Sequence, residues 1–342
     1  MERKRGLMDF LATCLVCTAV YLQTPVGGLI DRAAGWVFDL EREPRRLTSF
    51  FTLDAGSDDE GPSAEDITTL AAARREIDPE LAAAARRANI PYTLLRAMTL
   101  AGGNVGIALD ATQRREAAQL LGDATLTEHV GTAGKQTLGA AALVQRDSQA
   151  LGDLDAGLAA FILGRRAVER AIEMASLRQL ANPARFASHK RYYSREQRHR
   201  ARPFVEQIMA IKTALEFAWP IAGNHRMSSP FGYRQHPILG VRKLHNGVDL
   251  AVKIGTPVLA AHDGDVLYSV YDSLNGNYTK IDHGYGLTTA YCHNSQVRVA
   301  KDTATRRGDV VALSGNTGRS TGPHLHYVIR IGRRPVDPML FR

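Results

Sequence analysis

The chain has 342 residues, 44% of them hydrophobic and 23% charged, proportions that exclude a disordered or collagen-like polymer. Its formal net charge is +8, but no zinc finger or RNA-binding aromatic motif accompanies it, so nucleic acid is not expected as a partner. Three cysteines, Cys14, Cys17 and Cys292, do not make a disulfide framework. The length allows two or three domains.

Arg3, Lys4 and Arg5 precede an apolar run from Phe10 to Leu22. With Leu7-Met8 before it and Val26–Ile30 after it, the run approaches the ~20 residues that span a bilayer. Basic residues ahead of it place the N-terminus in the cytoplasm. A removed signal peptide is the competing reading. No clean Ala-x-Ala site closes the run, since Tyr21-Leu22-Gln23 follows it. Residues 1–35 are therefore expected to be an uncleaved membrane anchor. Residues 36–66 follow as a membrane-proximal region and an acidic linker. Asp54 to Asp66 holds six acids and no base, with Gly-Pro-Ser in the middle.

From Ile67 to about Leu215 the pattern is helical and strand signals are absent. Alanine- and leucine-rich stretches recur at Leu70–Ile77, Leu81–Asn89, Tyr92–Leu100 and Leu158–Ala175. His189 to Arg202 carries six bases and one acid, with Tyr192 and Tyr193 interleaved, and reads as a solvated surface. Phe204–Phe217 is a last helix leading into Trp219-Pro220. Beyond it come short strands: Val248–Val252, Val258–Ala260, Val266–Val270, Tyr278–Ile281, Leu287–Tyr291, Val310–Leu313 and Leu325–Ile331. Short strands between turn residues predict an antiparallel β domain, and such a sheet can leave one face open for a groove. The fold class is thus α+β and multidomain: a membrane segment, an all-helical middle domain (67–215) and a C-terminal antiparallel sheet (219–342).

Within the β region stand His245-Asn246-Gly247-Val248-Asp249, Tyr291-Cys292-His293 and His324-Leu325-His326. Two imidazoles and one carboxylate are standard zinc ligands, and a catalytic zinc keeps its fourth position open. His324 and His326, two apart on a strand, share a face while Leu325 enters the core. One can ligate while the other stands beside the metal. Gly247 and β-branched Val248 argue against a helix through the first motif. A lone His-x-His is usually structural; the ordered set with its glycine and proline punctuation points to a site. His225, His236, His262 and His283 read as structural.

These motifs, with Phe231-Gly232-Tyr233-Arg234, Ser314-Gly315-Asn316-Thr317-Gly318 and Ser320-Thr321-Gly322-Pro323, resemble the lysostaphin-type zinc endopeptidases, which cut cell-wall peptidoglycan. The resemblance covers roughly Trp219 to Asp337. It implies zinc bound by His245, Asp249 and His326, with His293 and His324 as catalytic histidines. It departs at Asn294, where the family usually has an aliphatic residue. The function implied is a zinc-dependent endopeptidase hydrolysing peptide bonds of peptidoglycan. The alternative is a non-catalytic wall-binding protein or a regulator of other wall hydrolases, whose members usually lack the ligands that this chain keeps. The location implied is the cell envelope, anchored in the inner membrane with the catalytic domain in the periplasm or otherwise outside the cytoplasm. No protein partner is legible.

Ile90–Ala97, Thr137–Ala141 and Gly157–Ala171 resemble segments of the lysozyme-like lytic transglycosylases. That family's catalytic Glu would fall at about Gly102, which has no proton to give. The resemblance implies an inactive, glycan-binding domain; a plain helical spacer is the other reading of the same stretch.

Overall fold

The structure, a computed structural model, describes residues 64–75, 77–102, 107–127, 132–179, 190–235 and 241–342. The expected anchor, most of the acidic linker and His236 lie outside them. Among the described residues no helix is long and apolar enough to cross a membrane.

The middle of the chain is helical, as its composition predicts: α1 Ala64–Arg75, α2 Pro79–Arg87, α3 Tyr92–Gly102, α4 Ala111–Leu121, α5 Ala133–Leu151, α6 Leu154–Leu163, α7 Arg165–Leu177 and α8 Arg195–Glu216. Local chemistry sets the starts. Asp78 accepts from the Glu80 and Leu81 amides at the head of α2, where Pro79 needs no amide partner. Capping boxes, Asp110 with Gln113 and Ser194 with Gln197, open α4 and α8. The continuous helix expected over Leu158–Ala175 is instead two. Gly164 adopts φ +82 between α6 and α7, a backbone that only glycine takes without strain, and it breaks the run. Leu94, Leu95 and Met98 of α3, Leu158 and Ala159 of α6, and Val205, Ile208 and Ile211 of α8 fill the helical core.

The remainder is β. Its large sheet runs β1 (Met227–Ser229), β4 (Val248–Leu250), β12 (Leu325–Ile331), β8 (Leu287–Asn294), β7 (Gly276–Asp282), β6 (Gly264–Asp272) and β10 (Ala304–Thr305). Strand β13 (Arg334–Val336) pairs with β12, and every pairing is antiparallel. A smaller sheet has the order β5 (Pro257–Leu259), β11 (Val310–Leu313) and β9 (Gln296–Val297), and β2 (Gly232–Gln235) with β3 (Arg242–His245) forms a hairpin. Alternation decides the faces. Leu287, Thr289 and Tyr291 of β8 are buried on the core side, while Thr288 and Ala290 between them are only half-buried. Tyr327, Ile329 and Ile331 of β12 join them in the core.

The two parts pack together. The Phe217 ring is buried among His262, His283 and Phe341, at centroid distances of 6.1, 5.2 and 5.8 Å. Burying a ring of that size stabilises by about 2–3 kcal/mol. Glu216 accepts from Lys212 at 2.8 Å, meets the Thr93 hydroxyl and lies 3.3 Å from His262. The Tyr285 hydroxyl donates to buried Asp155 of α6. His262, His283 and Tyr285 sit at one end of the large sheet. Register puts the histidine motifs at the other end: Ile331 faces Leu287 on β8, whereas His326 faces Cys292. Five residues of strand separate the two ends, roughly 17 Å.

Candidate active site

His245, Asp249 and His326 come from three strands: register sets β4 beside β12, and the β2–β3 hairpin brings in His245. Asp249 of β4 is directly opposite His326 of β12, so both side chains leave one face of the sheet. His245 ends β3, four residues before Asp249, and the chain must turn between them. That turn passes close to β12: a Cβ on Gly247 would stand 2.3 Å from the Tyr327 carbonyl oxygen, a space only glycine leaves open. This is why glycine sits inside the His-x-x-x-Asp motif.

The three side chains converge on one point. His245 Nε2 is 3.1 Å from Asp249 Oδ1 and 3.1 Å from His326 Nδ1, and the last two atoms are 2.8 Å apart. The other ring nitrogens are already committed. His245 Nδ1 donates to the Pro230 carbonyl at 2.6 Å, and His326 Nε2 donates to Asn246 Oδ1 at 3.1 Å. In their neutral forms the two rings therefore aim lone pairs, not protons, at each other and at a carboxylate. Three lone pairs meeting at about 3 Å repel unless a cation lies among them. The spacing fits zinc, since bonds of about 2.0–2.1 Å in a tetrahedron put neighbouring ligand atoms about 3.3 Å apart. Arg234 Nη2, 3.8 Å from the second Asp249 oxygen, adds positive charge behind the carboxylate. Burial opposes the Asp249 charge; protons on the His245 and His326 rings, in the place that a metal ion would take, hold the carboxyl well below the usual range. Burial pushes His326 down.

His293 and His324 complete the cleft. Their ring centroids are 4.7 Å apart, and His293 is 6.0 Å from the His326 ring. His293 Nδ1 donates to the Thr317 carbonyl at 2.8 Å, and His324 Nδ1 donates to the Gly322 carbonyl at 2.8 Å. Each ring keeps Nε2 for the cleft; that of His324 lies 3.6 Å from Asp249 Oδ1. Burial pushes His293 down to about 4. Its backbone has φ +64, uncommon for a side chain with a Cβ and a feature found at functional sites. Asn294 explains how that turn is held. It is fully buried, and its Nδ2 donates to the Tyr291 carbonyl at 2.7 Å and the Asn277 carbonyl at 3.1 Å. An aliphatic residue here could make neither bond.

The cleft has a volume of about 200 Å³ and is lined also by Arg234, Lys243 and Arg319. No described residue of the helical part lines it. Of the histidines read as structural, His262 meets Glu216, and His283 is buried with its Nε2 against Thr289 Oγ1 at 2.8 Å. His225 lies 2.7 Å from the Ala222 carbonyl. None of the three reaches the cleft.

Comparison with known proteins follows the same geography. Residues 243–338 match the sequence profile of Peptidase family M23. The DD-carboxypeptidase/endopeptidase Mpg of Neisseria meningitidis is 47% identical over 114 residues, 33% of this chain and 26% of that protein. The peptidoglycan DD-endopeptidase ShyA of Vibrio cholerae is 43% identical over 122 residues, 35% of this chain and 28% of that protein. Thus the chain spans little more than a quarter of the length of these relatives. The catalytic domain of lysostaphin from Staphylococcus simulans is 29% identical over 34% of this chain and 92% of that one, with a TM-score of 0.33. The motif order, the convergence of its side chains and the sequence matches agree: the β part of this chain carries a peptidase family M23 domain.

Proposed function

We propose that the chain is a zinc-dependent endopeptidase that hydrolyses peptide bonds of cell-wall peptidoglycan. The observation that carries this reading is the trio of lone pairs from His245, Asp249 and His326 facing one point beside two further imidazoles. His245, Asp249 and His326 would hold zinc there, and the ion would supply Lewis acidity to acidify an attacking water and polarise a carbonyl. The protein's own groups do the rest. Pro230 and Asn246 fix the ligand rings through their outer nitrogens, which orients them before the metal arrives. Carbonyls of Thr317 and Gly322 fix His293 and His324 as tautomers with Nε2 free. Between them these two imidazoles take a proton from the attacking water and return it to the leaving amine. In their protonated forms they donate to the developing oxyanion.

Names of the relatives support peptidoglycan as substrate and the cell envelope as location. Arg3–Arg5 with Phe10–Leu22 supports anchoring in the inner membrane, with the peptidase outside the cytoplasm. We read residues 67–215 as a unit that packs on the peptidase (219–342) or binds glycan without cutting it. Gly102, at the end of α3, leaves that position without a general acid.

The test is metal content and digestion of purified cell wall by the full chain. His245→Ala should lose zinc and all cleavage. His293→Ala should keep zinc and lose at least about a hundredfold in rate. Zinc-loaded protein that leaves walls of several cross-link types intact would favour the regulatory alternative.

A further inference from the structure

Beside the metal centre, the open face of the large sheet forms a second hollow of about 340 Å³. It shares Asn246, Asn275 and His326 with the catalytic cleft, so the two are one continuous trough. Alternation along β12 sets its floor: His326, Val328 and Arg330 leave the same face. Register extends that floor across three more strands, from Val328 to Ala290, Lys280 and Tyr268. The charges that line it are positive, with Asp282 at its edge opposite Thr288. Lys280 and Arg330 line the hollow and no acid does. Neither cation forms an ion pair with a carboxylate among the described residues. One Arg330 nitrogen donates to the Arg333 carbonyl at 3.1 Å, which holds the guanidinium in place with other donors to spare. The Lys280 ammonium stands 6.0 Å from the centre of the Tyr268 ring. Directly opposite Arg330 on β8, the Thr288 hydroxyl oxygen is buried with no hydrogen-bond partner. Two cations and an unsatisfied hydroxyl in one hollow are the complement of an anion with several acceptor oxygens.

Building on the endopeptidase reading above, we propose that this hollow is a specificity subsite in which Lys280 and Arg330 bind a free carboxylate of the peptide substrate. Arg330 is four strand residues from His326, about 13 Å, and its guanidinium is held by the Arg333 carbonyl on the side away from His326. Lys280 is level with Val328, two strand residues from His326. A carboxylate held between them therefore lies two to four extended residues from the scissile bond. The substrate class is a peptide that carries an acid on a branch or at a chain end, not a neutral cross-bridge. Across the metal centre, Arg234, Lys243 and Arg319 continue the same preference.

The experiment compares a synthetic cross-linked dimer of wall stem peptides bearing free carboxylates with the same dimer converted to carboxamides. Both are given to the zinc-loaded full chain, to Lys280→Gln and to Arg330→Gln. Wild type should cleave the acid form with kcat/KM about ten- to a hundredfold higher. Each substitution should cut that preference severalfold while zinc content and cleavage of the carboxamide stay unchanged. Equal cleavage of both dimers by wild type, or a preference that survives both substitutions, overturns the proposal. Binding of the two dimers to His293→Ala is measured alongside. If neither dimer is cut, the endopeptidase reading fails for this substrate, and the binding preference still decides: lost on substitution it supports the subsite, and absent in the unsubstituted subsite it overturns it.

Discussion

At the scale of single residues, the sequence named the groups that face the cleft but not those that hold them. His245, Asp249, His293, His324 and His326 were legible because imidazole and carboxylate at fixed spacing have a chemistry of their own. The Pro230, Thr317 and Gly322 carbonyls were not, since any residue offers a carbonyl and only the fold aims it. Asn246 lay in plain view inside the motif, and its role emerges only with the His326 ring beside it. Its amide oxygen fixes which nitrogen of His326 faces the metal. Asn246→Ala should therefore weaken zinc binding by about ten- to a hundredfold, measured by competition with a chelator, with the fold unchanged. Asn294→Ala makes a contrasting prediction. It frees the turn at His293 without touching a ligand, so zinc affinity should hold while kcat falls about tenfold.

At the scale of elements, register does what composition cannot. The antiparallel character of the β region was readable from short strands and turns. The pairing of β4 with β12, which sets Asp249 against His326, joins positions 77 residues apart and leaves no local mark. The break at Gly164 was likewise hidden, because a glycine within an apolar helical run is tolerated as often as it interrupts. Arg74 shows the same limit from another side. On sequence it is one more helix arginine; in the fold it donates to the carbonyls of Ala214 and Leu215 at 3.0 and 2.8 Å, and also to Phe217. These are carbonyls at the end of α8 that lack helical partners. It reaches the Phe341 carbonyl as well, at 2.7 Å. Arg74→Met should destabilise the protein by about 3 kcal/mol, seen as a melting temperature lower by several degrees, with the site's metal affinity untouched.

At the scale of the whole molecule, acid stability should be governed by the seam between the two parts. His283 is packed against Phe217 and faces His262 and the Asp263 carbonyl; burial pushes its pKa down to about 4. An unfolded histidine takes up its proton near 6.5, so the unfolded chain binds more protons between those values. Stability present above about pH 6.5 should fall as the pH drops towards 4, by on the order of 3 kcal/mol. Glu216 shifts downward too: burial works to raise it, but His262, Lys212 and Thr93 hold it at about 2. Its contribution is present above about pH 4.5 and is lost only between there and 2. Urea unfolding at stepped pH should show the two losses in that order. His283→Gln should reduce the first, leaving the share of His293, which burial also pushes down to about 4, and should leave the second unchanged.

The Arg74 contact also sets how this body carries load. It ties α1, the end of α8 and the turn Pro338–Phe341 into one knot at the end of the sheet remote from His245, His293, His324 and His326. A pull applied through α1 is delivered to the far end of the large sheet. Between that point and His326 lie the ladders of β12 with β13, β8 and β4, which resist a force along the strand by sharing it over many hydrogen bonds at once. An enzyme tethered by its helices and gripping a taut polymer would thus be strained first at its back, while the three ligands kept their spacing.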